Sequence, residues 1–198
     1  MALVEHVVEE VTSGRIPLLR PLAPGKVERR DPAPLTATQI AALRLLDDKP
    51  ISPSLARWLA FDGLLLPEII GDPCAPRLEP KSLQALVAAP FADAFAATLG
   101  PRLPGALYPL TTGSESTWVL YVGEPDATGE YPVLELRCDD TPSVALVAPG
   151  FDVWLATRMR VLDLEGQRDP SRVPSYAAAM DAQAHANLGG ERFLEVDG

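Results

Sequence analysis

The chain has 198 residues, 47% hydrophobic and 22% charged, with a formal net charge of -10. That apolar content excludes a disordered chain and suffices for one full-sized domain with its own core. The negative balance argues against phosphate-rich partners, and no apolar run approaches the ~20 residues that span a bilayer.

The first residues, Met1-Ala2-Leu3-Val4-Glu5-His6, place an acid early with no basic stretch before an apolar one. They do not read as a signal peptide, so a soluble, cytoplasmic protein is expected. Val4, Val7, Val8 and Val11 fit helical spacing and a strand equally well. Prolines 17, 21, 24, 32 and 34 give the rest of residues 1–35 the character of an extended arm. Thr36 to Asp47 reads as a short helix: Thr36 and Gln39 match a capping box, and Ile40, Leu43 and Leu46 line one side. Ser52 and Pro53 then suit the N-cap and first position of a helix striped by Leu55, Trp58 and Leu59. Gly63 suits a left-handed cap at its end. Residues 67–80 hold four prolines and one glycine, the composition of a loop. Lys81 to Leu99 is helically patterned, but Pro90 makes it a kinked helix or two short ones.

Strand signals follow in quick succession. Leu107 to Leu110, Trp118 to Val122, Tyr131 to Cys138 and Ser143 to Ala148 are short apolar runs separated by turn residues. Period-two alternation turns Leu134, Leu136 and Cys138 inward and Glu135 and Arg137 outward. A helix from Phe151 to about Leu164 carries Phe151, Trp154, Leu155, Met159 and Leu162 at the spacing that packs onto a sheet. Pro174-Ser175 opens a last helix to about Leu188, whose small apolar face suits peripheral packing. The expected fold is α+β: a twisted, mostly antiparallel sheet of four or more strands with helices packed on one face and at the ends. The core domain spans residues 36–164, with a helical insertion at 64–105 and a C-terminal helical extension at 165–198.

Catalytic chemistry finds little support. The two histidines, His6 and His185, sit near opposite ends of the chain. The hydrolase elbow Gly-x-Ser-x-Gly, the zinc motif His-Glu-x-x-His and a phosphate-binding loop are all missing. Gly113-Ser114-Glu115-Ser116 reads as a hairpin turn rather than a nucleophile. Asp139-Asp140 lacks the further oxygen ligands a cation would need, and it reads as a turn with solvated charge. No metal or cofactor is expected. Cys74 and Cys138 do not form a Cys-x-x-Cys pair; Cys138 continues an inward row, and spacing alone leaves a disulfide between them open.

Charge is concentrated rather than spread. Between Glu115 and Asp152 lie eight acids against the single base Arg137, supplying -7 of the net charge. Such a stretch serves equally to solvate surface strands and to attract a basic partner. Trp58 and Trp154 fall on apolar helical stripes and read as core. Trp118 begins a strand beside polar Ser116-Thr117, so it suits either the core or a partner anchor.

The order of these pieces resembles the SUKH superfamily, best known for bacterial immunity proteins that bind and neutralise toxin domains. Ser52 to Gly63 looks like the family's early helix, and Trp118-Val119-Leu120-Tyr121 like its central strand. Gly129-Glu130-Tyr131-Pro132-Val133 looks like its Gly-x-Tyr-Pro-Val lead into the next strand. Val144 to Ala148, running on to Phe151 and Trp154-Leu155, looks like the last strand and closing helix. The likeness covers residues 36–164. It departs in the longer 64–105 region and in the Pro149-Gly150 before the closing helix. What the resemblance implies is a protein that is not an enzyme and that covers a toxin domain. The charge adds that the partner is basic, with nuclease toxins a natural match. The expected contact residues are Glu115, Trp118, Glu124, Asp126, Glu130, Glu135, Asp139 and Asp140. A non-toxin binding scaffold and a carboxylate-dependent enzyme are the competing classes, and the oligomeric state is open.

Overall fold

In the computed structural model, which describes residues 3–23, 26–64, 78–111, 113, 115–139, 141–162 and 174–196, five strands pair in chain order into one antiparallel sheet. They are β3 (Ala106–Thr111), β4 (Ser116–Val122), β5 (Val133–Arg137), β6 (Ser143–Ala148) and β7 (Phe193–Glu195). The fold is α+β, as the run of short apolar segments implies. Helices cover both faces of the sheet, not one. Alternation sorts the strand residues: Leu120, Val122, Val133 and Ala148 face one core, while Val119, Leu134, Leu136, Val144 and Leu146 face a second.

The first core is closed by α1 (Leu3–Thr12), α3 (Pro53–Leu59) and α6 (Phe151–Arg158), which pack on one another. The valine pattern of the N-terminus therefore resolves as a helix, with Val4 and Val7 buried. Residues 3–12 are not an extended arm but part of the core. Two further strands, β1 (Leu19–Ala23) and β2 (Lys26–Arg29), form a separate antiparallel hairpin. After it, Arg30 reaches Asp62 with Nη1 and Nη2 each 2.6 Å from a carboxylate oxygen. Asp62 is fully buried and also accepts from Ala33 N–H at 3.1 Å. This forked pair ties the segment after the hairpin to the end of α3.

Helix α2 (Ala37–Ala42) carries the reciprocal capping box of Thr36 and Gln39. It stops at Ala42 rather than near Asp47. Leu43 and Leu45 are buried while Arg44 and Leu46 are exposed, so the chain has turned extended, with burial of period two. Leu46 N–H donates to the Tyr108 hydroxyl at 2.7 Å, which holds Leu46 outside the helix. Ser52 caps α3 as expected, accepting from Leu55 N–H, and Leu55, Trp58 and Leu59 are fully buried. Gly63 is not the left-handed cap of α3. Its need is space, since a Cβ there would lie 3.2 Å from Leu35 Cδ2.

The second core lies under α4 (Leu83–Leu86), α5 (Ala92–Leu99) and α7 (Pro174–Leu188). Pro90 sits in a short 3₁₀ turn between α4 and α5, so the patterned segment is two helices. Helix α7 is no peripheral extension: Met180, Ala184 and Leu188 are buried at four-residue spacing. The closing helix α6 ends at Arg158, and Arg160 follows in the left-handed region at φ 58°. Cys138 is only half-buried against the second core. Cys74, Asp140 and the expected helix end near Leu164 lie outside the described residues.

Candidate binding face

Helix α6 begins after Gly150, which lends no side-chain cap. Asp152 Oδ1 instead accepts from its neighbour Val153 N–H at 2.8 Å. One turn apart, Trp154 and Arg158 meet the same strand residue. Trp154 stands edge-on to Trp118 with ring centroids 6.4 Å apart, and the Arg158 guanidinium lies 4.9 Å from the Trp118 ring centre. A cation over an indole face contributes roughly 0.5–1 kcal/mol when exposed. Trp118 is thereby held against α6, partly buried beside the first core.

Strand register extends this contact into a row. Trp118 lies opposite Glu135, Glu135 opposite Ala145, and Ala145 opposite Phe193. Cross-strand partners share a face, so all four stand on the α6 side. Phe193 is 44% exposed, the only large hydrophobic of the five-stranded sheet so open among the described residues. The next row runs Ser116, Arg137, Ser143, Glu195. Arg137 Nε donates to Glu135 Oε2 at 2.8 Å, linking the rows.

The acidic stretch does not form one surface. Glu115 and Asp139 are exposed in the two turns at the Ser116 end of β4 and β5, joined by Cys138 N–H donating to Glu115 O at 2.8 Å. Asp139 Oδ1 accepts from Thr141 N–H at 3.1 Å, the turn geometry expected of it. Glu124, Asp126 and Glu130 lie at the other end of the strand pair, roughly 20 Å away along β4. Asp126 is spent on its own turn, accepting from Thr128 N–H, Thr128 Oγ1 and Glu130 N–H. Gly129, at φ 84°, supplies the left-handed residue that this turn needs.

Two of the expected contact residues are interior. Glu130 receives Ser54 N–H at 2.8 Å and the Ser54 hydroxyl at 2.5 Å. Burial pushes its carboxyl above the ordinary range against those bonds, and the charge of Asp152 adds to the rise. Burial likewise raises Asp152, with Asp126 adding to it and Val153 N–H opposing. Around this pair, Gln183 donates to Glu130 O and Pro149 O, and Asn187 clamps the Glu124 backbone. Glu130 therefore belongs to a buried polar network joining α3, α6 and α7. Glu135, expected to face outward, is covered by its ion pair with Arg137 and has only 12% of its side chain exposed.

The structure thus places Glu115, Trp118 and Asp139 toward one end of the sheet, separates Glu124 and Asp126 from them, and removes Glu130 and Glu135 to the interior. Asp140 is not among the described residues. Sequence reasoning missed Arg158, Phe193 and Glu195. The alternation of Phe193, Leu194, Glu195 and Val196 was the available signal, but three residues of strand are short for it. Among the described residues, no three His, Cys, Asp or Glu side chains gather to hold a metal ion, and no helix is long and apolar enough to cross a membrane.

No family model matches this chain, and no curated protein matches it. Among solved structures, the chain is similar to the crystal structure of an uncharacterized protein from Salmonella enterica subsp. enterica serovar typhimurium str. 14028s. The TM-score is 0.58 at 15% identity, over 98% of this chain and 95% of the other. At that identity the likeness concerns the fold alone. It extends over both terminal segments, consistent with α1, α7 and β7 being part of the same architecture.

Proposed function

We propose that this chain is a binding protein rather than an enzyme, an immunity protein that occludes a basic toxin domain. The observation that carries this reading is the row from Trp118 to Phe193, aromatic at both ends, beside the exposed acids Glu115, Asp139 and Glu195. Aromatic anchors with a charged rim are the anatomy of a protein interface. The acids speed encounter with a positive surface, while Trp118 and Phe193 supply apolar contact once docked. A nuclease domain fits as the target, because a groove that holds phosphates must be positive. The resemblance of residues 36–164 to the SUKH superfamily supports the same reading. The acidic stretch acts through one end of the sheet only. Glu130 and Asp152 belong to the interior rather than to that end.

The test is capture of partners from the native cell with the full chain and with a Trp118→Ala, Phe193→Ser variant. The captured protein is then produced alone and together with this chain. Toxicity that disappears on co-production, and persists with the variant, supports the proposal. A harmless captured protein moves the reading to a regulatory scaffold, and equal protection by the variant moves the contact surface elsewhere.

A further inference from the structure

Strand β7 is the outer strand of the sheet, and among the described residues no strand pairs with its far edge. Its pairing with β6 fixes which backbone groups face outward. Leu146 N–H donates to Arg192 O at 2.8 Å and Val196 N–H to Pro142 O at 2.9 Å. Positions 192, 194 and 196 are therefore the ones bonded to β6. Phe193 and Glu195 occupy the alternate pairs, opposite Ala145 and Ser143, where N–H and C=O point away from the neighbouring strand. The free edge thus presents the N–H and C=O groups of both residues. Their side chains stand on the α6 face, since Leu194 between them is buried in the opposite core.

We infer that this edge takes up an extended segment of the protein partner, which adds to the five-stranded sheet beyond β7. The rows dictate the segment's chemistry. Its residue opposite Phe193 is apolar and covers the ring, and its residue two positions on, opposite Glu195, is Lys or Arg. Charge selects this occupant over a second copy of the chain. Two β7 strands paired antiparallel about Leu194 would set each Phe193 against the other copy's Glu195, leaving both carboxylates without a cation. A segment with a cation at that position instead meets Glu195, with the exposed Glu115 and Asp139 at the same end of the sheet. The inference rests on the protein-binding reading above and specifies how the partner is held.

The experiment uses the full chain and an extended peptide repeating threonine, valine, threonine, lysine, with a matched peptide carrying glutamate for lysine. Amide hydrogen exchange is read residue by residue. The lysine peptide should slow exchange at Phe193 and Glu195 and bind about tenfold more tightly than its glutamate counterpart. Glu195→Pro removes an outward N–H and the carboxylate while leaving the bonds to β6, and should weaken the lysine peptide about tenfold. Phe193→Ser provides a second variant should the proline disturb folding, and it should weaken binding as well. Equal binding of the two peptides, or protection confined to other strands, overturns the inference. If the peptide fails while a captured toxin is still silenced by the wild type, only the edge inference falls. If the edge is protected but no captured protein is toxic, the immunity reading falls and strand uptake stands.

Discussion

Replacing Arg30 by methionine strands a carboxylate that has no access to water. Asp62 is fully buried, and Arg30 gives it two bonds of 2.6 Å with only 9% of its own side chain exposed. Breaking a buried pair from one side costs about 3–5 kcal/mol, because the remaining charge is left unpaired. Ala33 N–H still reaches Asp62 at 3.1 Å, which places the expected loss for Arg30→Met near the lower end, about 3 kcal/mol. Adding Asp62→Asn removes the stranded charge and keeps an acceptor for Ala33 N–H. The double variant should then recover most of the loss and sit about 1 kcal/mol below the wild type. Urea denaturation measures this through the midpoint at constant slope, and the four variants close a double-mutant cycle. Arg30→Met within about 0.5 kcal/mol of the wild type would refute the reasoning, since that is the scale of an exposed surface change. A double variant less stable than the sum of the singles would refute it too.

Trp154→Ala should cost about 3–5 kcal/mol, because the ring stands 5.6 Å from Phe151 and 6.4 Å from Trp118; an unchanged melting temperature would show that α6 does not depend on it. Glu130 and Asp152 have carboxyls raised in the folded protein, so the fold binds more protons than the unfolded chain above the ordinary carboxylate range. Stability should therefore fall as pH rises through that window, and Glu130→Gln should flatten the slope and raise the melting temperature at neutral pH. A steeper slope in Glu130→Gln would reverse the sign of the argument. Neutralising Glu115, Asp139 and Glu195 should slow association with a captured partner, and neutralising Glu124 and Asp126 should slow it less. Stopped-flow rates across salt concentrations compare the two sets, and the difference should shrink as screening shortens below ~8 Å.

Local chemistry was the most readable layer of the sequence. The capping box at Thr36, the Ser52-Pro53 helix start, the break at Pro90 and the four apolar strand runs each depend on residues close in the chain. What distance along the chain cannot convey is which surface covers which. Glu135 alternates with Leu134 and Leu136 and so reads as solvent-facing, yet the helices beside that face and the Arg137 pair close over it. In α7 the buried stripe is Met180, Ala184 and Leu188, where a small side chain permits close approach and leaves a weak apolar signal. The acids read as one cluster because turns at both ends of β4 and β5 are neighbours in sequence. In space a strand's length separates Glu115 and Asp139 from Glu124 and Asp126, which sequence order alone does not convey.

The chain-order pairing of β3 to β7 has a consequence for how the protein is made. Strands β4, β5 and β6 can each join the preceding strand as they leave the ribosome, so this part of the sheet can grow from local hairpins. The second core does not close at that point, because Met180, Ala184, Leu188 and Leu194 come from α7 and β7, synthesised after the strands they cover. A nascent chain stopped before residue 174 would leave β6 as the edge strand, with Val144 and Leu146 lacking the cover of α7 and β7, the kind of surface chaperones bind. The elements that carry the exposed Phe193 and Glu195 are thus also the ones whose arrival ends the chain's exposure to misassembly.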